Sequence, residues 1–234
     1  MSNDASTDPA ATKATGMFWL PVASRMLLGG FFAFCAGTYL TAATASLHGV
    51  DFEHPTIGLV ANMISIFAMT SFLALVAYLY AVQLPALTKF AGWRPAAAAG
   101  FGSFAMLGLL LLKPRVDLSP EARLLSAGLI MAGNMFAVCS LHYLNRSFSI
   151  LPQARLLVLR GPYHFIRHPL YLAEAISIIG VLINFLSLLA LALFCVQLTC
   201  QFLRMNYEEN VLRAAFPEYE AYRRRTARLL PGVY

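Results

Sequence analysis

Five apolar stretches dominate the chain, and its polar residues gather between them and after the last. Residues 24–47, 56–85, 95–113 and 122–144 each have about the 20 apolar residues that a helix needs to cross a bilayer at 1.5 Å per residue. The fifth stretch, 169–204, would be about 54 Å long as one helix, well beyond the ~30 Å hydrocarbon core. Asn184 interrupts it near the middle, so the pattern predicts two short helices, 169–183 and 186–204, joined by a tight turn. Beyond Met205 the periodicity changes. Val211, Leu212, Ala215, Phe216, Tyr219 and Tyr222 recur close to helical spacing, and Arg213, Arg223, Arg224, Arg225 and Arg228 occupy the other face. An amphipathic helix or helix pair lying on the membrane surface is expected over 206–228. The fold class expected is an all-α integral membrane protein, a bundle of about five to six transmembrane helices with a C-terminal amphipathic cytosolic helix.

Composition agrees with that class. Of the 234 residues, 59% are hydrophobic and 12% charged, against about 25% charged in an ordinary soluble domain. The mean hydropathy is +0.66. Net charge is +6, but the arginines flank apolar segments instead of forming one patch, which points to a membrane face and away from nucleic acid. With the N-terminus inside, all of the 17 basic residues except Lys113, Arg115 and Arg123 fall on the cytoplasmic side, and the first outer loop carries Asp51 and Glu53. Both termini and the polar motifs are therefore expected in the cytoplasm.

Three regions follow from this reading. Residues 1–20 are expected to be a disordered tail, small and polar and without the apolar region of a cleaved signal. Residues 21–145 carry the N-terminal transmembrane helices, and 146–234 hold the hairpin 169–204 and most of the chemistry. Cys35, Cys139, Cys195 and Cys200 lie in apolar runs without ligand spacing and are expected to be small buried hydrophobes.

The chemistry concentrates in Arg160–Tyr171, RGPYHFIRHPLY, and Arg204–Leu212, RMNYEENVL. Ionisable groups at the mouth of a membrane domain are costly, so they read as a site where something polar meets something lipid-like. Pro162 and Pro169 fix bends, Gly161 permits close backbone approach, and Tyr163, His168 and Tyr171 offer polar tips and flat faces. Arg204 and Glu208, four apart, share a helix face; the carboxylate can hold a cation and the guanidinium an anion. Glu174 is a lone intramembrane carboxylate. His164 and His168 lack a carboxylate at metal-site spacing, so no metal is expected.

The order GPYxxxRHPxY, a helical hairpin, RxxxEExxL, then Phe216, Tyr219 and Tyr222 resembles the isoprenylcysteine carboxyl methyltransferases. These sit in a membrane methyltransferase superfamily that also includes phospholipid methyltransferases. The likeness covers roughly 145–234, and 145–155 looks like the bacterial branch, which implies a bacterial inner membrane. Pro217 departs from the glycine that many relatives have there. The resemblance implies S-adenosylmethionine as cofactor, in a cytosolic pocket made by the C-terminal half. It would place Tyr163, His168, Pro169, Leu170 and Tyr171 against the cofactor, with Leu156, Leu157 and Val158 lining the pocket through main chain. Glu208 would hold the cofactor beside Glu209, and Arg204 would orient the acceptor carboxylate. The partners implied are membrane lipids and a lipophilic or lipidated acceptor.

Two other enzymatic readings stay open. A phospholipid amine or a thiol as acceptor would need deprotonation, with His164, Glu174 or Glu209 as bases. A sterol-reductase-like enzyme would bind NADPH, with Arg155, Arg160 and Arg167 near the 2′-phosphate. A transporter or structural protein is the non-enzymatic alternative, against which the missing inverted repeat argues.

Overall fold

A computed structural model describes residues 9–46, 57–88, 92–112 and 117–232. Helices form wherever the apolar stretches lie: α1 (Pro9–Ser46), α2 (Ile57–Val82), α3 (Trp93–Phe104) running into a 3-10 turn at Ala105–Leu111, α4 (Pro120–Leu144), α5 (Pro169–Phe185) and α6 (Leu188–Ala215). A short α7 (Tyr219–Arg225) follows. Among the described residues the only β pairing is an isolated bridge between Ile166 and Ala227. Asp51, Glu53, Lys89, Lys113 and Arg115, which support the expected topology, lie outside the described residues, as do residues 1–8 of the expected tail. From Pro9 onward that tail is part of α1, where Ala10, Ala11 and Ala14 are strong helix formers.

Local sequence explains the helix ends. Ser119 caps α4, its hydroxyl accepting from Ala122 N at 3.3 Å, with Pro120 in the first turn. Ser187 caps α6 in the same way, accepting from Ala190 N at 3.2 Å. The hairpin therefore turns at Leu186–Ser187, just after Asn184, whose amide donates to Ser126 Oγ at 2.7 Å. No Gly or Pro interrupts the chain between Arg204 and Ala215, so α6 continues unbroken to Ala215. Pro217 then stops it, with Phe216 extended before it. The helix or helix pair expected over 206–228 is thus the end of α6, a bend, and the separate α7.

Packing follows small residues. A Cβ on Gly133 would stand 2.2 Å from Ser177 Oγ, and one on Gly180 would stand 2.7 Å from Ser126 O. These glycines let α4 and α5 touch backbone to backbone, and Ser126 Oγ donates to Gly180 O at 2.8 Å. α1 packs on α2, α2 on α4, and α3 on α6, whereas α5 and α6 meet only sparingly despite their short connection. The two groups of helices separate there, and the opening becomes the candidate site. A core of Val76, Leu79, Tyr80, Leu141, Phe148 and Ile150 anchors the 145–168 loop to α2 and α4.

Two helices of the described residues, Pro120–Ser147 with its 3-10 extension and Leu188–Ala215, are long and apolar enough to cross a bilayer. Met26, Leu27, Phe67 and Leu188 expose 74–84% of their surface, a costly arrangement in water and a natural one in lipid. The chain is a membrane protein. Cys139 and Cys195 are exposed on this apolar surface, and Cys35 and Cys200 are half-buried, so the cysteines are not the buried core residues expected. An apolar helix surface satisfies a thiol as well as a core does.

Candidate functional site

The 145–168 loop is held by its own polar residues before it holds anything else. Asn145 takes a left-handed conformation (φ 47°) and ends α4. Ser147 Oγ donates to Leu156 O at 2.7 Å and accepts from Leu156 N at 3.0 Å, closing a loop around 148–155. Leu84 N donates to Arg146 O at 2.9 Å and Leu87 N to Ala154 O at 2.8 Å, so the segments after α2 and α4 run together. Gly161 sits at φ 59° with the Tyr143 ring 2.6 Å from where a Cβ would be, so any side chain here is strained and must displace the ring.

Between this loop and the helices lies a cavity of about 390 Å³. It brings together most of the residues expected from the sequence: Leu156, Leu157, Val158, Tyr163, His168, Leu170, Tyr171, Arg204 and Glu208 all line it. Tyr171 donates its hydroxyl to Glu208 Oε1. His168 Nδ1 stands 3.9 Å from Glu208 Oε2, near but beyond hydrogen-bonding reach. Glu174 lines the same space, with Gln201 donating to its Oε2 at 2.7 Å. Burial pushes the phenols of Tyr163 and Tyr219 up and that of Tyr222 to about 12, so all three remain neutral hydroxyls at physiological pH.

Two expected cofactor residues do not face this cavity. Pro169 is packed away inside the first turn of α5. Glu209 points to the other side of α6, where its Oε1 takes Arg167 Nε at 3.1 Å, His168 Nε2 at 3.2 Å and Arg228 Nε at 3.2 Å. Consecutive helix residues project about 100° apart, so the neighbouring glutamates serve different partners. The Glu209 cluster fastens the C-terminal strap: Arg167 Nη1 donates to Arg223 O at 2.8 Å, and Arg167 N and His168 N donate to Ala227 O and Arg228 O. Tyr222 OH donates to Tyr163 O at 2.6 Å, which brings α7 over the cavity. His164 is exposed and lies outside the cavity lining.

Arg204 makes no ion pair with Glu208, although the spacing allowed one. Its guanidinium lies 4.9 Å from the Tyr171 ring centroid, with Nη1 donating to Ser103 Oγ at 3.3 Å and Nη2 to Ile150 O at 3.5 Å. It is 5% exposed, and its Nε–H has no partner. The Glu174 and Glu208 carboxylates offset part of this buried charge from beyond ion-pairing distance, and the Nε–H is left without a hydrogen-bond partner among the described residues.

The sequence did not announce Gly102 and Ser103. They reach Arg204 from α3, about a hundred residues away, and a Cβ on Gly102 would fall 2.8 Å from Arg204 Cδ. Gln197, which donates to Gly102 O, and Asn134 were legible in principle, as polar residues within apolar runs.

A fit between these groups and S-adenosylmethionine is chemically sound. The cavity falls within the roughly 300–1,000 Å³ of small-molecule sites. It offers a half-buried carboxylate for a cation, aromatic faces for a purine, and unpartnered guanidinium N–H groups for anions. None of the curated proteins matches the chain. Residues 122–219 match the model of the phospholipid methyltransferase family, a span from α4 to the first residue of α7 that includes Tyr163, His168, Tyr171, Arg204 and Glu208. That match supports a place for this part of the chain in the membrane methyltransferase superfamily.

Proposed function

We propose that the protein transfers a methyl group from S-adenosylmethionine to an anionic, lipid-embedded acceptor, most simply the carboxylate of a prenylcysteine-like or other lipidic acid. The observation that carries this reading is Arg204, buried on the wall of the cavity that Glu208 also lines, with no carboxylate of the described residues within 4 Å and its Nε–H unpartnered among them. When bound, the cofactor supplies a methyl group already activated by a positively charged sulfur. The protein's own work is then alignment and exclusion of water. Glu208, steadied by the Tyr171 hydroxyl, offers its carboxylate to the cationic donor. Arg204, steadied by Ser103 and the Tyr171 ring, orients the acceptor's anionic oxygens. An ionised carboxylate needs no proton removed, so none of these residues must act as a base. Active site and termini face the cytoplasm in this reading, at a bacterial inner membrane.

A second reading, methylation of a phospholipid amine, is favoured by the family match and by Glu174. A phosphodiester also suits Arg204, and Glu174, held by Gln201, offers a buried carboxylate to an amine. Of the three arginines of the NADPH reading, Arg160 lies outside the cavity lining and Arg167 is committed to Glu209 and two carbonyls, which leaves Arg155 alone to meet a 2′-phosphate. Native membranes supplied with methyl-labelled cofactor decide between the first two. A labelled lipid product that loses its label in mild base supports the ester, a base-stable product supports the amine, and no labelled lipid at all refutes both.

A further inference from the structure

Three arginines line the cavity, and their surroundings differ. Arg167 is consumed by Glu209 and by the carbonyls of Arg223 and Thr226. Arg204 belongs to the α3–α6 wall, among membrane segments, and suits the acceptor. Arg155 is the third, and the reading above gives it no task.

Its side chain is 9% exposed, with Nε donating to Leu84 O at 2.8 Å and Nη2 to Gln153 Oε1 at 2.8 Å. Nη1 is buried and has no partner, and no carboxylate of the described residues stands within ion-pairing distance of the guanidinium. Burial lowers its pKa to about 10, so it keeps its charge at neutral pH. Two of its nitrogens thus fix the guanidinium in place, and the third, Nη1, has no partner among the described residues. Arg155 directly precedes Leu156–Val158 on the cavity wall, in the loop outside the membrane-spanning segments.

We propose that Arg155 is an anion subsite for the α-carboxylate at the amino-acid end of the cofactor. This rests on the methyl-donor reading and extends it. A cofactor drawn from water presents its zwitterionic end on the aqueous side, where Arg155 lies, whereas a lipid acceptor's anion must be met nearer the bilayer, where Arg204 lies. Glu208 answers the cofactor's positive charge and Arg155 its negative one, so the charges complement each other at separate points.

The test is binding, in detergent or nanodiscs, of S-adenosylhomocysteine, its decarboxylated counterpart and 5′-methylthioadenosine, which lacks the amino-acid end. Wild type is expected to bind the carboxylate-bearing ligand roughly 10- to 100-fold more tightly than the decarboxylated one. Arg155→Gln is expected to erase that difference and leave the affinity for 5′-methylthioadenosine within about twofold, which also reports an intact fold. Arg155→Lys, a point charge without the fork, is expected to retain part of the difference. Equal binding of the first two ligands by wild type overturns the proposal without any variant, and so does undiminished discrimination in Arg155→Gln. Failure of wild type to bind any of the three ligands overturns the methyl-donor reading as well, so the two failures are distinguishable.

Discussion

Gly102→Ala tests whether Arg204 is positioned from α3. The added Cβ would stand 2.8 Å from Arg204 Cδ and 3.3 Å from Cys200 Cβ. Carbon contacts settle near 3.5–4.0 Å, so Arg204 must withdraw by roughly 0.7–1.2 Å, and the tight contact with Cys200 on the same helix pushes α6 away from α3 as well. The guanidinium has little slack, because its bonds to Ser103 Oγ at 3.3 Å and Ile150 O at 3.5 Å are already long. Losing one such charged hydrogen bond costs about 1.5–3 kcal/mol, and a displacement near 1 Å at a reacting group costs up to about a hundredfold in rate. Acceptor-dependent kcat/KM is expected to fall about 10- to 100-fold. S-adenosylhomocysteine affinity should stay within about twofold, since Glu208 and Tyr171 are untouched. Methyl transfer from labelled cofactor in membranes, alongside calorimetry and a melting curve in detergent, separates these effects. Unchanged kcat/KM in a folded Gly102→Ala protein would show that Arg204 needs no support from α3. Ser103→Ala removes the hydroxyl without overpacking and should reproduce part of the loss.

Three further outcomes follow from the geometry. Glu208→Gln should weaken S-adenosylmethionine at least about tenfold and S-adenosylhomocysteine less, because only the former carries the sulfonium; calorimetry showing neither constant changed would remove Glu208 from the cofactor site. Glu209→Gln leaves Arg167 and Arg228 without their shared carboxylate and should cost about 3–5 kcal/mol locally, read as faster tryptic cleavage at Arg223–Arg225; wild-type cleavage rates would contradict the strap. Gly161→Ala forces a side chain into a left-handed position (φ 59°) against the Tyr143 ring and should cost at least about 1–3 kcal/mol. That is a melting point lower by roughly 2–12 °C, and an unchanged one would mean the turn can relax.

The sequence carried the helices well and their rotations poorly. Apolar runs of spanning length are local signals, and α4 and α5 lie close to where they put them, whereas α6 runs past the expected end at 204 to Ala215 and stops only before Pro217. Helices that are apolar on all faces carry no stripe that says which side meets a neighbour. The approach of Gly102 to Arg204 and the exposure of Cys139 and Cys195 were therefore invisible. Tyr171, Arg204 and Glu208 were legible for a different reason: polar groups in apolar surroundings are costly, and two of them already shared one face of α6. Asn184 marked the hairpin turn within two or three residues, because an amide there needed a partner and found Ser126.

The adjacent glutamates show why spacing alone misleads at such a site. Two like charges in sequence at a membrane surface suggest one anionic patch, and the resemblance placed both against the cofactor. On a continuous α6 they point about 100° apart, so the cavity takes Glu208 and the strap takes Glu209. Their mutual repulsion is offset on the Glu209 side by Arg167, Arg228 and Arg213, and His168 stands between the two carboxylates, 3.2 Å from one and 3.9 Å from the other. One carboxylate is thereby committed to holding α7 over the cavity, which leaves Oε2 of the other, held only through its Oε1 by Tyr171, for a ligand. A chain needing only the strap would require Glu209 alone, and the proposed function gives the second charge at 208 its task, the cationic donor in the cavity.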